Sequence, residues 1–63
     1  MMYQVVTAPT AAKQLIFGGY ADYAEANNCA KRASINLAVD VQVVKLWEHS
    51  TVYATYRGGK VID

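Results

Sequence analysis

The chain has one cysteine, one histidine and one proline, and it lacks any long apolar run; each shortage removes a class of function. A single thiol cannot close an intramolecular disulfide or build a multi-cysteine zinc site. With one imidazole as well, metal binding falls to Asp22, Glu25, Asp40, Glu48 and Asp63, which are scattered, so no metal and no cofactor are expected. No apolar stretch approaches the ~20 residues that span a bilayer. The opening Met1-Met2-Tyr3-Gln4 lacks the basic and apolar regions of a signal peptide, so a cytoplasmic protein without membrane contact is the expectation. Charge is also scarce. Only 17% of residues are charged and the net charge is +1, which provides no strong field to gather DNA, RNA or an anionic membrane. The same balance excludes an acidic mimic of nucleic acid. Gly18-Gly19 precedes a predicted helix, but neither G-x-x-x-x-G-K-S/T nor G-x-G-x-x-G is present, and a turn is the simpler reading.

What remains is 63 residues, 54% of them apolar, the composition of one globular domain covering 1–63. A chain this short buries only ~60% of the surface it exposes when unfolded, so nearly every apolar residue must contribute to the core. The clearest element is a helix over 22–36. Asp22-Tyr23-Ala24-Glu25 has the form of a capping box, with Asp22 accepting from the Glu25 N–H and Glu25 reaching back. Tyr23, Ala26, Ala30, Ala33 and Leu37 then recur at steps of 3, 4, 3 and 4, one face of a 3.6-residue period. Asn36 suits a left-handed terminator.

A strand is predicted over 39–47, where Val39, Val41 and Val43 alternate with Asp40 and Gln42. The alternation fails at Val44, which predicts a bulge or burial on both faces. Glu48-His49-Ser50 reads as a tight turn into a β-branched and aromatic strand, 51–57. Gly58-Gly59 makes a second turn, returning Lys60-Val61-Ile62 as a short edge strand. At the front, Met2–Thr7 reads as a strand. Gln14-Leu15-Ile16-Phe17 is read as its hairpin partner, with Gly18-Gly19 as the exit; the alternative is a short helix starting at Pro9 and ended by Gly18. Together these predict an α+β domain, ββαββ-like: an antiparallel sheet of three to five strands with one helix on one face. Val5, Ile16, Val41, Val43, Val52 and Ala54 are candidates to meet the helix. Tyr3, Leu46, Trp47, Tyr53 and Tyr56 are candidates for the uncovered face.

No catalytic constellation emerges. Cys29 lies mid-helix and His49 in a predicted turn, so a nucleophile–base pair with an orienting carboxylate is not expected, and the chain is read as non-enzymatic. The chemistry-bearing set is Lys45, Trp47, Tyr53, Tyr56 and Arg57. Aromatics interleaved with cations suit a protein interface, where Trp, Tyr and Arg are enriched. They also suit base stacking and phosphate contact, but the near-neutral charge puts nucleic acid second.

Three segments together resemble the layout of very short phage and mobile-element proteins. They are Asp22-Tyr23-Ala24-Glu25-Ala26 through Ala30-Lys31-Arg32-Ala33, then Val41-Gln42-Val43-Val44-Lys45, then Val52 through Gly58-Gly59-Lys60. Small anti-CRISPR proteins that inhibit multisubunit (type I) surveillance complexes have the same order of capped Ala-rich helix, strand, and strand ending in Gly-Lys. The likeness spans roughly 20–63, carries no functional residue over, and leaves the front third unmatched. It implies an anti-defence inhibitor that occupies a surface of a host protein or complex in the host cytoplasm. A homodimer through the uncovered sheet face or an edge strand is compatible with that role.

Overall fold

The computed structural model describes residues 2–9 and 14–62. Its elements run β1 (Tyr3–Thr7), β2 (Ile16–Tyr20), α1 (Tyr23–Leu37), β3 (Val41–Lys45), β4 (Glu48–Arg57) and β5 (Lys60–Val61). The five strands form one sheet in the order β2-β1-β3-β4-β5, every neighbouring pair antiparallel. The α+β layout is the predicted one. β2 and β3 therefore run parallel with β1 between them, and α1 is the crossover that connects them.

The helix lies close to the sheet because its inner stripe is small. Ala26, Ala30 and Ala33 are buried against Val5, Val41, Val43 and Ala54, which form the core. Tyr23 and Leu37, at the ends of that stripe, stay about 40% exposed. Asp22 caps the helix by accepting from the Ala24 N–H at 2.9 Å, rather than from Glu25 as the capping box predicts. The helix ends at Ala38, whose φ of 55° is left-handed; Asn36 remains helical.

Three boundaries are corrected. β2 begins at Ile16 and runs through Gly18, Gly19 and Tyr20, so the two glycines are strand, not the exit turn. The register slip between Val5 and Val6 and the φ of 126° at Gly18 mark a bulge there, which glycine admits. The strand assignment at 16–17 decides against a helix at those positions; residues 10–13 of the proposed connection lie outside the described residues. The β3–β4 turn is Leu46–Trp47, so Glu48-His49-Ser50 belongs to β4 and β3 is shorter than the predicted 39–47. The Gly58-Gly59 turn and the returning edge strand stand where predicted.

Ser34 fastens that last turn to the helix. It is fully buried, its hydroxyl donates to the Lys31 carbonyl at 2.8 Å, and it accepts from the Gly59 N–H at 2.9 Å. Gly59 has a φ of 83°, a left-handed conformation that glycine adopts without strain, and a Cβ there would press on the Ile35 side chain.

The face of the sheet away from α1 differs from the expectation of a ring-lined surface. Its centre holds Gln4, Val6, Val44 and Thr55, all buried. The register places Lys45 opposite Glu48 and Val44 opposite Val52, so residues 49–51 have no counterpart on β3. This bulged stretch brings the His49 ring across β3 to the Gln4 side-chain oxygen on β1. Ile16 and Val52, predicted to meet the helix, pair with Val6 and Val44 on this opposite face and stay 59% and 42% exposed.

Candidate functional site

The five sequence-predicted residues do not form one surface. β4 is ten residues long, and it separates them into two ends. Lys45 and Trp47 sit at the β3–β4 turn; Tyr56 and Arg57 sit at the β4–β5 turn. Tyr53 lies along β4 and turns toward the helix.

At the far end the polar groups are already engaged. Arg57 grips Asp40 with two hydrogen bonds, Nε to Oδ1 and Nη2 to Oδ2, both 2.9 Å. The Arg57 guanidinium holds the Asp40 carboxyl below its ordinary range. Tyr56 packs half-buried against the core, and its hydroxyl donates to Asn27 Oδ1 on α1. Burial, with the nearby Tyr23, pushes its phenol up. Because the folded-state Asp40 value lies below the unfolded one, the pair stabilises the fold at neutral pH. That contribution is lost as pH falls through the unfolded value of about 4 and on through the lower folded one. Asp40→Asn is expected to lower stability at pH 7 and to flatten its decline between pH 5 and 3. Thermal melts of both proteins across that range check this; parallel curves would show that the Asp40 charge adds no pH-dependent stability.

The other end is built from rings. Tyr3 on β1, Tyr23 at the start of α1 and Tyr53 on β4 meet in a cluster with centroid distances of 5.1, 5.3 and 6.1 Å in tilted and edge-on arrangements. Each such pair adds ~0.5–1.5 kcal/mol to its area burial. Tyr3, Tyr53 and Tyr56, predicted for the uncovered face, thus belong to the helix side. Tyr3 pairs with Lys45 in the sheet register, so the cluster and the Trp47 turn share one end of the molecule. Lys45 lies 3.8 Å from Glu48, whose carboxyl is held down by the Thr51 hydroxyl and then by Lys45.

Trp47 stands apart. Its side chain is 84% exposed, and its φ of 63° is left-handed, a conformation that costs a bulky residue on the order of 1 kcal/mol. Glycine or asparagine is the usual occupant of such a position in a tight hairpin.

A groove of about 550 Å³ opens on the other side of the helix, between α1 and β2. Phe17 and Tyr20 of β2 floor it, and Glu25, Cys29, Arg32, Ala33 and Leu37 of α1 wall it. Tyr20 is held above its ordinary value by hydrogen bonding to the Cys29 sulfur, then by burial and by the charge of Glu25. Sequence reading missed this groove. Cys29 and His49 have the sheet between them, and among the described residues no group of three His, Cys, Asp or Glu could hold a metal. No helix among the described residues is long and apolar enough to cross a membrane.

No known protein family matches the chain, and neither a characterised protein nor a solved structure is significantly similar to it.

Proposed function

We propose that the chain is a non-enzymatic protein-binding module that docks through the end carrying Trp47, Lys45 and the Tyr3–Tyr23–Tyr53 cluster. One observation carries this reading. Trp47 presents the largest apolar side chain of the sequence to solvent while holding a left-handed backbone that glycine would hold without strain. Strain retained at an exposed aromatic points to function rather than folding. Tryptophan and tyrosine are also the side chains that dominate binding energy when buried at the centre of an interface. Tyr23, about 40% exposed, extends the apolar area beside the turn. In the setting implied by the resemblance to small anti-CRISPR proteins, the partner is a host protein complex such as a surveillance complex, inhibited by occupation of its surface. Nucleic acid is the weaker alternative, because Lys45 and Arg57 are drawn to Glu48 and Asp40 instead of standing free for phosphates.

The test uses the only tryptophan as its own reporter. Titration with an isolated candidate complex should move Trp47 emission to shorter wavelength, and Trp47→Ala should weaken binding, measured by calorimetry, by ~30-fold or more. A complex that binds both proteins equally would overturn the docking end. A gel shift with DNA or RNA at low salt that fades steeply by moderate salt would instead favour the nucleic-acid reading.

A further inference from the structure

Beyond the docking end, the α1–β2 groove carries a second inference. The helix covers the inner faces of β1, β3 and β4, but reaches β2 only at its border, where Phe17 and Tyr20 pack half-buried against the core and floor the groove. Along the wall of α1 that borders this floor, Glu25, Cys29 and Arg32 are spaced 4 and 3 residues apart, the spacing of a seam between two helices. Among the described residues neither Glu25 nor Arg32 forms an ion pair, so the seam bears one unpaired negative and one unpaired positive charge two turns apart.

We infer that this face binds a second copy of the chain, with the two α1 helices antiparallel and each lying over the β2 floor of the other. A two-fold arrangement requires a patch complementary to itself. This patch meets that requirement in one register. With the dyad midway between Asn28 and Cys29, Glu25 of each copy faces Arg32 of the other, and both charges are paired twice. The side chains at the crossing are small or short, which suits the 8–10 Å separation of packed helices. Antiparallel alignment also places opposite ends of the two helix dipoles together. The contact covers Phe17 and Leu37 and enlarges a core that a chain of 63 residues can build only marginally alone. The Trp47 turn lies at a sheet end and outside the groove, so the dimer would present two copies of the docking end.

Sedimentation velocity on the full chain tests this by charge swapping. Glu25 and Arg32 are both exposed, so their substitution leaves the fold in place, which a circular-dichroism melt checks. The wild-type chain should sediment as a dimer. Glu25→Arg alone and Arg32→Glu alone should each weaken the dimer by about thirtyfold or more, because two ion pairs become two like-charge contacts. An equimolar mixture of the two variants should dimerise again, since an all-positive seam then meets an all-negative one. If either single variant loses helix, Glu25→Gln and Arg32→Gln replace it and should weaken the dimer to a smaller degree. A wild-type monomer at high concentration overturns the inference. So do single variants that dimerise like wild type, or a mixture that stays monomeric. A monomer whose Phe17 and Tyr20 resonances shift on adding a medium-chain fatty acid would assign the groove to a small ligand instead.

Discussion

Ala30→Leu is expected to cost ~1–3 kcal/mol or more, whereas Ala24→Leu, on the outer face of the same helix, should change stability by less than ~0.5 kcal/mol. Ala30 is fully buried, and the helix approaches the sheet across Ala26, Ala30 and Ala33 on one side and Val5, Val43 and Ala54 on the other. No space exists there for three further carbon atoms, so a leucine forces the helix away from the sheet or itself into a strained rotamer. Ala24 is exposed, and alanine and leucine differ little in helix propensity. A domain of this size has roughly 3–9 kcal/mol of stability in total, so the inner substitution removes a large share of it. At ~4–8 °C per kcal/mol, melts followed at the helix signal should separate the two variants by about 10 °C. Equal melting points would show that the alanine stripe does not set the distance between helix and sheet.

That stripe was legible because helix burial repeats every 3.6 residues, and Tyr23, Ala26, Ala30, Ala33 and Leu37 recur with that period. The strand pattern Val39-Asp40-Val41-Gln42-Val43 and the bulge at Val44 were legible for the same kind of reason, a period of 2 that breaks at one place. The consequence of the break was not. Beyond the slip, Val43 pairs with Ala54 and Val44 with Val52, which leaves Tyr53 as the extra residue, beside Ala54 and directed to the helix side. A shift of one residue exchanges the two faces of a strand, so the side on which the tyrosines fall depends on a register no local pattern states. This is why the tyrosines expected on the open face lie against the helix, and why valines, glutamines and the bulged stretch 49–51 occupy that face.

The turns show the same division between chemistry and context. Gly58-Gly59 is visible because glycine has no steric reason to avoid φ values of 57° and 83°. The left-handed positions at Ala38 and Trp47 are invisible, since nothing in those side chains favours the conformation. The reading therefore stopped the helix at Asn36 and displaced the hairpin turn to Glu48-His49-Ser50. The five candidate residues act together only if the hairpin presents them on one surface. With the turn moved to Leu46–Trp47, only Lys45, Trp47 and, through its contacts with Tyr3 and Tyr23, Tyr53 share an end. The groove lay outside pattern reading altogether, because it arises from how far the helix sits from an edge strand.

The same displaced turn leads to the sharpest separation of folding from function. Trp47→Gly is expected to raise stability while weakening partner binding at least thirtyfold. Glycine adopts a φ of 63° without the crowding of Cβ against the carbonyl oxygen, which relieves on the order of 1 kcal/mol. Trp47 is 84% exposed, so removing its ring forfeits little burial. The greater freedom of glycine in the unfolded chain offsets part of the gain, which leaves an increase of a few degrees in melting temperature. Binding should move the other way. A tryptophan desolvated at the centre of an interface contributes ~2 kcal/mol or more, at least a thirtyfold change in affinity. Differential scanning calorimetry and a binding isotherm on the same two proteins measure both quantities. A lower melting point would mean that the ring supports the turn. Unchanged affinity for the complex would mean that the partner docks elsewhere. Opposite signs in the two measurements would mark Trp47 as a residue whose ring serves a contact outside the chain at the expense of the fold.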